Sequence, residues 1–288
     1  MSTTETLVPA DTEPRRLIRH SRLVRHSRLV TGAIFVAISL VALAGFAWPF
    51  VLPASRDQST VWVAVIVCLL VPILAIVAVI IADRGVTGSP DAAKFVAMLG
   101  LLAAAGAVVR LFASAAGGIE AVFVILIIGG AVFGPRFGFL LGAVTIGVSA
   151  LALGLLGPWV GFQMFAAAWV GAGAGLVSRG VRLLTRRASA RHRRWSELGV
   201  LVTFGVISAY AYGALLNLWF WPFAVGSETS ISYVAGADIA TNVSHFVVYT
   251  LVTSTATWDT VRAVTTVIGL IALGPAIMAG LRRSKLGR

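Results

Sequence analysis

Apolar runs long enough to cross a lipid bilayer recur along this chain, and nothing else in it constrains the fold as tightly. A hydrocarbon core about 30 Å thick needs roughly 20 apolar residues per spanning helix. Such runs fall near residues 31–52, 61–82, 93–115, 119–133, 137–156, 160–178, 197–222 and 260–281. Where no water reaches, only helices and closed barrels satisfy every backbone N–H and C=O. A barrel would show alternating segments of about ten residues, whereas these runs are continuous. The sequence therefore predicts an all-α polytopic membrane protein with about eight transmembrane helices. A composition that is 58% hydrophobic and 12% charged over 288 residues agrees.

A net charge of +12 could serve nucleic acid, so the placement of the charges decides. Arg15, Arg16, Arg19, Arg22, Arg25 and Arg28 precede the first run; Arg84 and Lys94 bracket the link after the second. Arg136 follows the fourth, seven arginines fill 179–194, and Arg282, Arg283, Lys285 and Arg288 close the chain. With eight spans, all 23 basic residues except Arg56, Arg110 and Arg262 fall on one side. That is the positive-inside pattern and predicts a multi-pass protein of a bacterial cytoplasmic (inner) membrane with both termini cytoplasmic. Topology thus accounts for the charge, and no nucleic-acid partner is expected. The repeat "RHSRLV" at 19–24 and 25–30 reads either as an anionic-lipid patch or as a duplicated topogenic tail. The first run is too long for a typical signal-peptide core, which favours a retained anchor.

The hydrophilic stretch "DRGVTGSPDAAK", 83–94, reads as a linker. It divides the chain into a basic tail (1–30), a two-helix N-terminal extension (31–88) and a six-helix membrane core (89–288). Links inside the core are short, so consecutive helices should pack as antiparallel neighbours. Gly134, Gly138 and Gly142, then Gly171 and Gly175, repeat at four-residue spacing. Ala93, Ala97, Gly100 and Ala104 make a similar face on the first core helix, and such faces let helix backbones approach closely in lipid. The segment 236–258 reads as an extra amphipathic outer helix. Asp238, Asn242, His245 and Tyr249 share one side of it, opposite Ile239, Val243, Phe246 and Val247. It either lies on the bilayer surface or covers a site in the bundle.

Several chemistries are missing. Every Asp and Glu, Glu197 and Asp259 included, reads as lying in a tail, a loop or at a helix end. This argues against a carboxylate-driven pump, which needs an ionisable group in the membrane. No phosphate-loop motif, HExxH or paired aspartate motif occurs. The single cysteine, Cys68, permits no disulfide framework, and no His or carboxylate cluster suits a metal. No enzyme, cofactor or metal is expected.

What remains is polar or aromatic and lies toward the outer ends of the core helices. Arg110 stands about 27 Å along its helix from Ala92 at 1.5 Å per residue. Trp159 and Gln163 open the helix after "GPW". Asn217, Trp219 and Trp221 close a later one, and Trp258, Asp259 and Arg262 begin the last descent. The tryptophans suit an interfacial belt or the walls of a pocket, the arginines snorkelling or ligand contact. Asp259 and Arg262, three apart, suit a pair on the helix. Gln163 and Asn217 must face the bundle, for inter-helix bonding or for a ligand. The candidate substrate-binding set is Arg110, Trp159, Gln163, Asn217, Trp219, His245 and Trp258. Together they suit a ring-bearing, weakly charged small molecule better than a metal ion.

Trp159, Gln163, Asn217, Trp219 and Trp258 sit in segments that resemble a known family. "GAVFGPRFGFLLGAVTIGVSALALGLLGPWVGFQMFAAAWVGAGAGLV" (130–177), "GALLNLWFWPF" (213–223) and "TSTATWDTVRAV" (253–264) resemble the substrate-binding S components of energy-coupling factor (ECF) vitamin importers of the actinobacterial type. The likeness covers roughly residues 90–285 and is most specific in "FGPRFGF" and "GPWxxFQM". It implies a six-helix subunit that captures a vitamin-like molecule from outside. Delivery would run through a transmembrane T subunit driven by two ABC ATPases. It also implies that Ala93, Ala97, Gly100 and Ala104 form the face that meets the T subunit. The two N-terminal helices depart from the minimal pattern, and a self-sufficient carrier or channel is the alternative reading.

Overall fold

The computed structural model describes residues 32–33, 35–51, 90–115, 120–157, 159–224 and 229–284. The basic tail, the apolar run 61–82 and residues 83–89 of the link lie outside them. Among the described residues every regular element is helical. We number them α1 (Phe35–Phe46), α2 (Trp48–Val51), α3 (Pro90–Ala115), α4 (Val122–Phe133), α5 (Pro135–Leu153), α6 (Trp159–Leu184), α7 (Ala190–Ala224), α8 (Ile239–Thr250), α9 (Thr260–Ala272) and α10 (Gly274–Arg283). A π-helical segment, Leu251–Asp259, joins α8 to α9.

Four of these helices, α3, α5, α6 and α7, are long and apolar enough to cross a membrane, and α8–α9 with α10 make a fifth if that bent pair is one span. The chain is a multi-pass helical membrane protein. The expected span at 119–133 is α4, whose 12 residues rise only about 18 Å and fall short of the hydrocarbon thickness. The expected span at 260–281 is broken at Leu273, where α10 turns away by 59°. Pro275 at the start of α10 has no N–H to give and crowds the carbonyl four residues back, which explains the bend.

The bundle is built around α4 and α6. α6 packs on α4, α5 and α7, while α4 is enclosed by α3, α5, α6, α7, α9 and α10. Lipid is as apolar as leucine, so burying Leu126 or Ile127 between helices gains little transfer energy; association depends on close van der Waals approach. Glycines supply it. A Cβ at Gly130, Gly138 or Gly142 would overlap the backbone of α6 at Gly171 or Ala167, and one at Gly175 would overlap Gly134 and Pro135. The glycine spacing read from the sequence is thus an internal helix crossing.

The small residues of α3 behave in the opposite way. Ala93, Ala97, Gly100 and Ala104 are all exposed, and a Cβ on Gly100 would meet nothing within 4 Å. The bundle side of α3 carries Ala103, Gly106 and Ala107 instead, with Gly106 against Thr145 of α5.

The described part of the N-terminal extension, residues 35–51, is packed onto the core. Phe46 is buried between the rings of Phe162 and Trp169, Trp169 Nε1 donates to Ser39 Oγ at 3.1 Å, and Phe50 reaches Trp221 and Phe246.

The segment 236–258 is not a separate outer helix. Asp238 caps α8, accepting from the Thr241 N–H at 3.0 Å, and the helix then continues through the π segment into α9 without a break. The expected two-sidedness is present in part, with the polar side inward, but Asp238 is exposed and Phe246 packs on Trp221 and Phe50. Asn242 and Tyr249 are buried, whereas Ile239, Val243 and Val247 are exposed.

Candidate functional site

The π segment sets which residues enter the bundle. Along a regular α-helix, the buried face that runs through Thr250 and Ser254 would next include Trp258 and Val261. The wider π turns accommodate an extra residue, and the face moves on by one. Ser254, Asp259, Arg262, Ala263 and Thr266 are buried, while Trp258 is 53% exposed. Hydroxyls serve the loosened backbone: Thr260 Oγ1 donates to the Thr255 carbonyl at 2.7 Å and Thr253 Oγ1 to that of Tyr249 at 2.7 Å.

Two polar clusters result. In the first, Arg110 of α3 donates through Nη1 to Ser149 Oγ of α5 at 2.7 Å and through Nη2 to Gln163 Oε1 of α6 at 3.2 Å. Three helices are joined by one guanidinium, with the Gln163 amide oriented by it. In the second, Arg262 donates through Nη1 to Asp259 Oδ1 at 2.6 Å and to the Ala209 carbonyl at 3.2 Å, and through Nε to Glu120. Ser254 Oγ donates to Asp259 Oδ2 at 2.7 Å. The guanidinium lies over the rings of Tyr212 and Phe123 at 5.0 and 5.7 Å. Tyr212 is buried in this second cluster, its ring edge-on to that of Phe123 at 5.1 Å.

A third cluster occupies the arginine-rich end. Glu197 accepts from Ser178 Oγ and, at 2.7 Å, from Arg282 Nη2, with Arg182 Nη1 at 3.8 Å. It joins α6, α7 and α10.

These clusters correct the acid inventory. Glu197 lies seven residues inside α7 and is 1% exposed; Asp259, at 0%, is fully enclosed. Both look terminal when helix ends are set by apolar runs alone. Arg262 is buried and paired with Asp259, as their spacing suggested, and does not snorkel.

The candidate residues do not converge on one point. Arg110 and Gln163 meet directly. Trp219 is buried against Phe162, the neighbour of Gln163, at 5.3 Å. Trp159 is half-exposed at the head of α6, its ring over Gly157. Trp258 points outward. His245 Nδ1 lies 2.7 Å from the Ser232 carbonyl and staples a loop. Asn217 belongs to another face of α7, its Nδ2 buried without a hydrogen-bond partner. Sequence reasoning did not single out Ser149, Tyr212 or Glu120. Hydroxyls inside apolar runs were the available signal for the first two; Glu120 gave none beyond its position before α4.

Among the described residues no group of three or more His, Cys, Asp or Glu is placed to hold a metal ion. Comparison with known proteins returned no matching family model, no curated relative and no matching solved structure.

Proposed function

We propose that this chain is the substrate-capture subunit of an ECF-type importer. In this reading it takes a vitamin-like small molecule from outside a bacterial cytoplasmic membrane, with both termini inside and about eight spans. It then passes the molecule through a T subunit driven by two ATPases. The observation that carries the reading is the two-sidedness of α3. Its bundle side brings Arg110 to Ser149 and Gln163, while its Ala93, Ala97, Gly100 and Ala104 face is exposed and meets no partner among the described residues. One helix thus offers a polar constellation inward and a close-packing surface outward. The likeness of segments 130–177, 213–223 and 253–264 to S components adds to it. Arg110, Gln163, Tyr212 and Trp219 are the residues proposed to meet the cargo.

The test is native mass spectrometry of the purified chain, paired with co-expression of a T subunit and its two ATPases. A stoichiometric small molecule and a four-part complex lost on Ala97→Trp are expected. An empty chain that never assembles would refute the reading.

A second reading, a self-sufficient carrier, is favoured by one observation: the enclosed carboxylates Asp259 and Glu197. It predicts gradient-driven uptake into liposomes holding this chain alone, abolished by Asp259→Asn.

A further inference from the structure

The helix Ile239–Ala272 is held very differently on the two sides of its π segment. On the α9 side, Asp259 and Arg262 are tied to Ser254, Glu120 and the Ala209 carbonyl. Tyr210 and Thr260 share a hydrogen bond at 3.0 Å. On the α8 side, the bonds run mainly to the helix's own leading loop. Asn242 Nδ2 donates to the Val234 carbonyl at 2.9 Å and its Oδ1 accepts from the Val234 N–H at 3.0 Å. His245 meets the Ser232 carbonyl. Residues 229–238 and α8 are therefore stitched into one unit. Trp221 fastens that unit to α7, with Nε1 donating to the Ile231 carbonyl at 2.7 Å and its ring against Tyr233 and Phe246.

Between the anchored and the fastened halves the interface holds two unmet polar atoms. Asn217 lies on the α7 face between Gly213, which abuts Asp259, and Trp221, which abuts Phe246. Its Nδ2 is buried with no acceptor, and so is Oγ1 of Thr250, the residue just before the π segment. A buried donor left unmatched is destabilising, and these two are relieved only if the α8 side separates and water reaches them.

We propose that α8 with residues 229–238 is a gate that swings on the π segment, latched shut by Trp221 and biased toward opening by the unpaired Asn217 and Thr250. A π segment suits the role, because its widened turns interrupt the regular ladder of a helix that is otherwise continuous. Opening would uncover the face of α7 that carries Gly213, Asn217 and Trp221. The inference stands apart from the importer reading, since any protein that admits a molecule from this end could use the gate.

Electron–electron spin distances on the full chain in nanodiscs test it, in a Cys68→Ser background and with no cargo or partner present. One label pair, at Val248 and Phe220, spans the gate; a reference pair, at Val264 and Ile207, spans α9 and α7. Two distance populations are expected for the first pair and one for the second. Trp221→Phe, which keeps the ring and removes the Nε1 hydrogen bond, should enlarge the long-distance population about ten-fold. Asn217→Leu should shrink it. A single narrow distance in both pairs, unmoved by Trp221→Phe, overturns the gate, and so does equal broadening of both pairs, which would place the motion elsewhere. Either failure leaves cargo capture and T-subunit assembly to be judged by their own experiments.

Discussion

The Asp259 carboxylate occupies the place where a side chain on Gly213 would stand: a Cβ there would overlap both carboxylate oxygens. Here α7 and the end of the π segment meet with backbone against charge. Asp259 in turn holds Arg262, and Arg262 holds Glu120. The absence of a side chain at 213 is what admits the buried ion pair.

Gly213→Ala should therefore displace Asp259 and leave Arg262 partly unpaired in the bundle. Breaking a buried pair costs about 3–5 kcal/mol, and a loss in that range is expected from unfolding in mixed micelles. Stability within 1 kcal/mol of the parent would show that the carboxylate can move freely.

Two glycines in one spacing class should separate sharply. Gly138→Ala drives a methyl into the Gly171 backbone and should cost several kcal/mol or prevent folding. Gly100→Ala meets open space and should be neutral or stabilise by up to about 1 kcal/mol through helix propensity. Melting curves of the two variants side by side decide it.

Glu197→Ala removes the acceptor shared by Ser178 and Arg282 and deprives Arg182 of its counter-charge. Both arginines are about one-third exposed, so water compensates part of the loss and about 1–3 kcal/mol is expected. Limited proteolysis after Arg282 should accelerate, because α10 loses its side-chain tie to α7. Unchanged cleavage would assign the hold on α10 to its apolar contacts alone.

Acid should loosen the start of α8. The Thr241 hydroxyl and N–H hold the Asp238 carboxyl below its ordinary value of 3.8. A depressed carboxyl stabilises the fold above the ordinary value, and that contribution disappears as pH falls through the lower, folded-state value. Protection of the Ile239–Thr241 amides, taken relative to their intrinsic exchange rates, should fall below about pH 4 in the parent protein. In Asp238→Asn that protection should be independent of pH.

Gln163→Ala leaves Arg110 with one of its two named acceptors, Ser149. Cargo affinity should fall about ten-fold if the amide is met by the cargo, whereas Trp258→Ala, on the lipid side, should leave it unchanged. Isothermal titration with the molecule that co-purifies provides the measurement.

Much of the architecture was legible because lipid imposes simple demands. Apolar run length located α3, α5, α6 and α7, and four-residue glycine spacing located the crossing of α4 and α5 with α6. Arg110 and Gln163 were legible as groups too polar for lipid. The exposure of Trp258 was not legible, because a constant 100° per residue continues the buried face of Thr250 and Ser254 onto it and only the π segment moves that face to Asp259. Glu197 was misjudged because α7 begins at Ala190, in a stretch of arginines that an apolar count assigns to a loop. The grouping around Tyr212 needed three helices placed in space.

α4 has 12 residues, and nearly all of them are covered by protein. A helix of that length gains too little from lipid to hold a spanning position, and one of the helices enclosing it is α10, which is synthesised about 140 residues later. The insertion of α4 is therefore coupled to a distant part of the chain: until residues 274–283 emerge, α4 stands incompletely surrounded. Nascent chains arrested before Gly274 should leave α4 reachable by photo-crosslinking to the insertion machinery, and chains extended past Arg283 should not.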